Sequence, residues 1–527
     1  MMKSATDLMF IVLPSSGRSD RGVCDAAHIH ALARTEQLQC AEMNDRETQQ
    51  SAILNALRWL RAHWLAFLIC SGAILIPCFW HQQVQAADLG SHLYNAWLSQ
   101  SVERDLLPGL SLEPLHTNIL IDLLLGKLLP SVGVVATQRI VASLCVLVFF
   151  WGAFALASAA AREAAWSVVP LLAMFAYGVI FHWGFLNFYL SVGFSLFALA
   201  IVVCGNLREF LLLPVLLVLS ALAHPMGAAC LVALAIYLIG LRWLSLRSQL
   251  FLTSALLALA FVLRWYVVRH VEVLPREISQ FWLLGADQLY VFGRGYLWIS
   301  GATLTLCAMC IALAWRRERH SKWLQFYLVI ALVVCFAPGG LHSEDTFGMM
   351  GFLPDRGSLY SAVALTVLVA NCRPRLWFPV ATAALAVPFF AALHHDTGIL
   401  QQRVQIVSAL VRQQPEGRRM ISLVQPVPGW RIHEDHSVDR ACIGYCYSYT
   451  NYEPSTSQFR LRAEPDNRFV LVDNDAIDRI KEGQYVIQPR DLPVSQIYAC
   501  GDHVNDLCVA ELHAGQKNGD LPHLTAP

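Results

Sequence analysis

The chain has 527 residues, is 56% hydrophobic and only 14% charged, and sets 38 Lys and Arg against 38 Asp and Glu. Soluble domains carry roughly a quarter charged residues, so the deficit points to surface that faces lipid. A net charge of zero leaves no basic excess to neutralise phosphates, which excludes a nucleic-acid partner.

Residues 1–62 are polar and without sustained periodicity, and read as a partly disordered cytoplasmic tail. The apolar run 8–13 is too short for a signal-peptide core, and Pro14 follows it. Met43 offers an alternative start close to the first apolar run. From 63 to 393, runs near the length of a membrane span occur at 64–80, 134–160, 166–181, 185–204, 210–223, 226–241, 250–268, 296–315, 324–337, 359–370 and 377–393. They predict about eleven transmembrane helices. With the N-terminus inside, Arg162, Arg208, Arg242, Arg247, Arg316, Arg317, Arg319, Lys322, Arg373 and Arg375 all fall in inside loops, as the positive-inside bias requires. The alternation needs a hairpin at His224-Pro225; a single span over 210–241 would put the Arg316 cluster outside. Cysteines such as Cys70, Cys145, Cys204, Cys230, Cys307 and Cys335 stand singly in apolar runs and read as small buried hydrophobes.

Residues 394–527 change character and read as an extracytoplasmic α+β domain. A helix near 400–413 leads into strand-like stretches at 458–462 (QFRLR), 469–472 (FVLV) and 484–488 (QYVIQ). Cys442, Cys446, Cys500 and Cys508 predict two disulfides, one within each close pair; the alternative is a zinc site, whose ligands normally lie closer together. The HEDH stretch at 433–436 lacks the His-Glu-x-x-His spacing and reads as an exposed polar turn. The fold class expected is an α-helical polytopic membrane protein with a small C-terminal extracytoplasmic α+β domain.

The longest loop of the apolar part, 81–133, is the first candidate for function. It opens QAADLGSHLYNAWLSQSVERD; as a helix this places Asp88, His92, Asn95 and Ser99 on one face and Leu93, Ala96 and Trp97 on the other. A second, in-plane amphipathic segment is expected at 117–129 (TNILIDLLLGKLL). Asp88 reads as a reactive carboxylate or as an N-cap, and His92 and Asn95 as substrate contacts or as packing. Cations near the same face are Arg356 (FLPDRGSLY), His342, Arg294, Arg276 and Arg269. For Arg356 the alternative is a pair with Asp355 or Glu344. His182 and Asn187 (HWGFLNFY) and His224 also reach this face; for His182, with Trp183 and Tyr189, an interfacial aromatic belt is the other reading. The Tyr-rich stretch 442–460 (CIGYCYSYTNYEPSTSQFR) is either an acceptor site or the disulfide-braced core of the domain.

One span, an acidic residue in AADLGSHLYNAWL opening a long outer loop with two surface helices, many further spans and a C-terminal outer domain is similar to the GT-C superfamily. These are membrane glycosyltransferases that use polyprenyl-phosphate-linked sugars. The family often carries paired acids at this place, where this chain has Asp88 followed by Leu89. The resemblance implies inverting transfer from such a donor to a lipid, glycan or protein acceptor at the outer face. Asp88 would be the base, Arg356 and His342 would hold the lipid phosphate, and His92, Asn95 and His182 would touch substrate. No metal ligand is assigned, and a divalent metal stays open as a cofactor. The setting implied is a bacterial inner membrane, with the N-terminus cytoplasmic, the C-terminus periplasmic and membrane lipid as a partner. Two other classes compete. A transporter or flippase is disfavoured by the few charges inside the spans and the lack of an internal repeat. The third is a non-catalytic membrane protein displaying a partner-binding outer domain.

Overall fold

The structure, a computed structural model, describes residues 63–521 apart from 206–208, 276–277, 344–347, 433–435, 457–458 and 504. The expected N-terminal tail, Arg208, Arg276, Glu344 and the first three residues of the HEDH stretch lie outside the described residues. Two compact units divide the chain, Met1–Gly72 and Ala73–Pro527. The described residues open with an apolar helix, α1 (His63–Phe79).

Each of the predicted apolar runs is largely helical. After α1 come α2 (Leu89–Val102), α3 (Leu120–Ala161), α4 (Val169–Ala176), α5 (Val179–His182), α6 (Leu186–Cys204), α7 (Leu213–Ala223), α8 (Pro225–Trp243) and α9 (Leu246–His270). The series continues with α10 (Leu297–Leu313), the short α11 (Trp315–Glu318), α12 (Lys322–Phe336), α13 (Leu353–Asn371) and α14 (Trp377–Arg412). Among the described residues six helices are long and apolar enough to cross a membrane, and four shorter ones are also apolar. Exposed side chains on α9, which has no buried residue, include Phe251, Phe261, Leu263 and Trp265. A surface of this kind is that of a membrane protein.

Local sequence sets the breaks. Gly133, at φ 76° and ψ 170°, interrupts α3 at the point where the long loop was expected to end. His224 is extended, at φ −162° and ψ 130°, and Pro225 starts α8, which makes the hairpin the charge pattern required. The expected second segment, 117–129, is helical from Leu120 on, and the non-helical Gly133 sets it off as a helix of its own from the long apolar helix that follows.

Nine short strands are described. β1 (Leu110–Leu112), β2 (Glu272–Leu274), β3 (Gly340–Ser343) and β4 (Gly348–Met350) precede β5 (Arg419–Leu423), β6 (Tyr447–Ser448), β7 (Leu461–Ala463), β8 (Val494–Ala499) and β9 (Leu507–Leu512). The C-terminal sheet has the order β6-β5-β8-β9, with β5 parallel to both neighbours and β9 antiparallel to β8. Helices α15 (Ser437–Cys442) and α16 (Asn474–Lys481) pack with it. The expected strands fare poorly. Only the end of 458–462 lies in β7, 469–472 is irregular, and 484–488 forms a single bridge, Val486 to Lys517. Val470 and Leu471 are consecutive and both buried, so their apolar character reports packing from two sides, not sheet pairing. The disulfides are Cys442–Cys446 and Cys500–Cys508, within each close pair as expected.

No linker separates the apolar helices from the C-terminal part, because α14 runs unbroken across the expected boundary at 393/394. The long loop and the C-terminal part also share one core. Tyr94 and Leu98 of α2 and Leu107 and Leu110 after it are buried with Val407 and Val411 of α14, Met420 of β5 and the Cys442–Cys446 pair. β1 completes the junction by pairing with β7.

Candidate functional site at the junction of the long loop and the C-terminal part

Asp88 stands immediately before α2. The backbone there is tied down by Ala87 N–H to His182 O (2.9 Å) and Asp88 N–H to Trp183 O (3.1 Å). The close approach depends on Gly184, at φ 82°, where a Cβ would come within 2.5 Å of Asp88 N. The Asp88 side chain does not cap α2. Its Oδ1 instead faces His436 Nε2 at 3.6 Å, while Nδ1 of that ring lies 2.7 Å from Asp439 Oδ2. Ser448 Oγ in turn donates to Asp439 Oδ1. Burial alone would lower the His436 pKa, but Asp439 and Asp88 outweigh it and hold the ring well above its ordinary value. His436 is thus an imidazolium between two carboxylates, not the exposed turn residue expected, because α15 folds it inward against α2.

One turn along α2, His92 Nδ1 lies 3.3 Å from Asp122 Oδ1 and 3.5 Å from Glu453 Oε1. Burial works against the charged ring, yet Asp122, Glu453 and Asp88 raise it to about 9. Glu453 is pushed up to about 7, first by burial and further by Asp122, with His92, Ser91 and His436 pulling the other way. Ser91 Oγ donates to Glu453 Oε1 at 3.0 Å. Asn95 exchanges hydrogen bonds with Asn451, at 2.6 and 3.2 Å. Beside these groups is a cavity of about 240 Å³ lined by Asn95, Ser99, Asp122, Lys127, Glu453 and Arg460. On the face of α2 expected to be polar, His92 and Asn95 meet Glu453 and Asn451. Residues 89–96 are all buried, because the C-terminal part covers the side that the loop alone would leave open.

Arg356, in the first turn of α13, lies over the Phe185 ring (4.4 Å to its centroid) and within electrostatic reach of Asp88 and Tyr452. Its Nη1 is 3.4 Å from His224 Nε2. His224 Nδ1 accepts the Met226 N–H at 3.2 Å, which puts the neutral ring's proton on Nε2. Two donors therefore face each other, and an anionic oxygen between them would satisfy both. Among the described residues no carboxylate lies within 4.0 Å of the Arg356 guanidinium, and Asp355 pairs with Arg431 instead. The anticipated Asp355 pair is thereby corrected; Asp355 and Arg356 are consecutive on a helix and point to different sides.

Other expected residues lie elsewhere. His182 is buried under the Asp88 segment, with Nδ1 2.8 Å from Gln85 O and its ring against Phe292, so it supports this segment and is no interfacial belt residue. His342 pairs with Glu272 at 2.8 Å in the three-stranded β2-β3-β4 sheet. Arg269 stacks on Trp265, and Arg294 is exposed. Asn187 accepts the Ile121 N–H at 3.0 Å and so fixes the start of α3 beside Asp122. Sequence reasoning missed Asp122, Asp439, Glu453 and the role of His436. The available signals were a lone carboxylate in the apolar run NILIDLLL and a glutamate inside the Tyr-rich stretch.

Among the described residues no three His, Cys, Asp or Glu side chains are arranged to hold a metal ion. Comparison with protein-family models, curated proteins and solved structures finds no match to this chain.

Proposed function

We propose that the chain is a membrane glycosyltransferase, resembling the GT-C superfamily, that moves a sugar from a polyprenyl-phosphate-linked donor to a hydroxyl acceptor. The reading includes about eleven spans, the N-terminus in the cytoplasm, and the junction site on the periplasmic face of a bacterial inner membrane. The observation that carries it is the meeting, at one place, of Asp88 from the long loop, His436 from the C-terminal part and an Arg356 cation that, among the described residues, has no carboxylate within 4.0 Å and feels the charge of Asp88. An inert bundle has no use for a buried cluster of this charge density. Loop charge supplies the orientation.

In the proposed reaction the acceptor oxygen attacks the anomeric carbon, the bond from that carbon to the phosphate oxygen breaks, and the lipid phosphate leaves. Asp88 takes the acceptor's proton. His436, clamped by Asp439, keeps Asp88 oriented. Arg356 and His224 supply donors where negative charge grows on the departing phosphate. The cavity beside Asp122 and Glu453 is the acceptor's place, with Asn95, Lys127 and Arg460 available for hydroxyl recognition.

The deciding experiment offers the purified full chain a panel of polyprenyl-phosphate sugars and follows transfer by mass spectrometry, with Asp88→Asn in parallel. Transfer by the natural chain and its loss in the variant are expected. Transfer that continues unchanged in Asp88→Asn removes Asp88 as base; failure of every donor removes the reading.

A further inference from the structure

A second feature lies at the other end of α3 and α6. Asp122 is on the first turn of α3, whereas Arg162 caps its last, and between them the straight part beyond Gly133 rises roughly 40 Å at 1.5 Å per residue. At this far end a cavity of about 1040 Å³ runs between α3, α6 and α7. Its walls are apolar, with Val148, Phe194, Phe197, Val215 and Leu216 among them, and Arg162, Arg242 and Lys322 close one end.

The three cations come from three separate places, the end of α3, the last turn of α8 and the first residue of α12. Lys322 is near enough to feel the charge of both arginines. The described acids nearby are engaged by other partners: Glu318 takes Arg317 at 2.8 Å, and Glu163 takes Arg373 at 3.4 Å. Among the described residues none of the three has a carboxylate within 4.0 Å. Mutual repulsion would drive such a trio apart unless an anion joined them. Space is also kept for the convergence. At Gly205, φ 67°, a Cβ would come within 2.0 Å of Arg242 Nη1.

We infer that this groove binds an anionic phospholipid carrying two phosphates, its headgroup held by Arg162, Arg242 and Lys322 and an acyl chain lying along the apolar wall. Three converging cations ask for more than one negative charge, and the apolar wall behind them distinguishes a lipid from free phosphate, which would leave it wet. The inference needs the chain to be a membrane protein and nothing of the proposed sugar transfer, so the two fail separately.

The test uses the full chain, purified in detergent and delipidated. Native mass spectrometry compares retention of a diphosphate-bearing anionic phospholipid with that of a zwitterionic phosphatidylcholine, with inorganic phosphate as competitor. Preferential retention of the anionic lipid is expected, unaffected by millimolar phosphate and weakened at least tenfold in the Arg162→Gln, Arg242→Gln, Lys322→Gln triple variant. Arg316→Gln with Arg319→Gln, which lie outside the groove, should leave binding unchanged. Equal retention of both lipids, displacement by inorganic phosphate, or full retention in the triple variant would each overturn it. Should the triple variant fail to fold, Val215→Trp, which narrows the groove and keeps every charge, replaces it; anionic-lipid retention undiminished there overturns the site equally.

Discussion

Asp88 Oδ1 and His436 Nε2 face each other across 3.6 Å, joining the start of the long loop to the C-terminal part at the centre of the polar cluster. The ring's other nitrogen is held by Asp439, so the imidazolium cannot turn away. His436→Gln gives up the ion contact that fixes the direction of the Asp88 carboxylate, so the transfer rate is expected to drop on the order of tenfold or more. A rate equal to that of the natural chain would show that His436 has no influence on the proposed base.

The His92 group makes a prediction about stability. His92, at about 9, lies above its ordinary 6.5, and Glu453, at about 7, lies above its ordinary 4.5. Both folded values exceed the unfolded ones, so between them the native chain binds protons that the unfolded chain has released. The Glu453 contribution fades as pH rises through about 7, and that of His92, complete below 6.5, is lost through about 9. The melting temperature in detergent should thus fall steadily from near neutral to alkaline pH. His92→Gln, which strips the buried carboxylates of their cation at a cost of roughly 3 kcal/mol, should flatten that fall. An equally steep fall in the variant would mean that other groups set it.

For Arg356, the proposed lipid-phosphate contact is a charge-assisted hydrogen bond, worth about 1.5–3 kcal/mol. Steady-state kinetics of Arg356→Ala should accordingly show the donor KM rising roughly ten- to a hundredfold by that free energy. Arg356→Lys should restore part of the affinity, since the charge returns without the planar stack on Phe185. A KM that does not move in Arg356→Ala would take the phosphate away from this residue.

Gly184→Ala tests the backbone beneath Asp88. The added Cβ meets Asp88 N at 2.5 Å and Leu89 N at 3.0 Å, at a φ of 82° that already disfavours alanine. A loss of about 1–3 kcal/mol is expected in thermal unfolding, together with slower transfer as Asp88 shifts. Gly417→Ala is the control, because φ is 75° there and no atom lies within 4 Å of the new Cβ. If both variants lose the same stability and keep full transfer, the contact with Asp88 is unimportant.

Features written in local composition were legible before the structure. The apolar runs appear as helices, Gly133 and His224-Pro225 break them where charge and punctuation indicated, and the four C-terminal cysteines pair as neighbours. Asp88 stood out by its position. Its partners did not, because Asp122, His436 and Glu453 gain meaning only when β1 pairs with β7 and α15 folds onto α2. No periodicity records an encounter between segments so far apart. The same gap explains α2: its own pattern is two-faced, and only the late arrival of the C-terminal part buries the second face. In the C-terminal part the apolar residues of FVLV marked burial but not pairing, since Val470 and Leu471 are consecutive and both buried and short strands are defined by neighbours.

The β1–β7 ladder and the core shared by Tyr94, Leu98 and Cys442 carry a consequence for biosynthesis. The long loop leaves the ribosome early, with His92 and Asn95 already present, while Asn451 and Glu453 are made near the end. Until then the polar side of α2 has only water or a chaperone to satisfy it. The cluster is consequently finished last, and a ribosome that stalls before residue 453 leaves behind a chain in which His92 and Asn95 never meet Glu453 and Asn451.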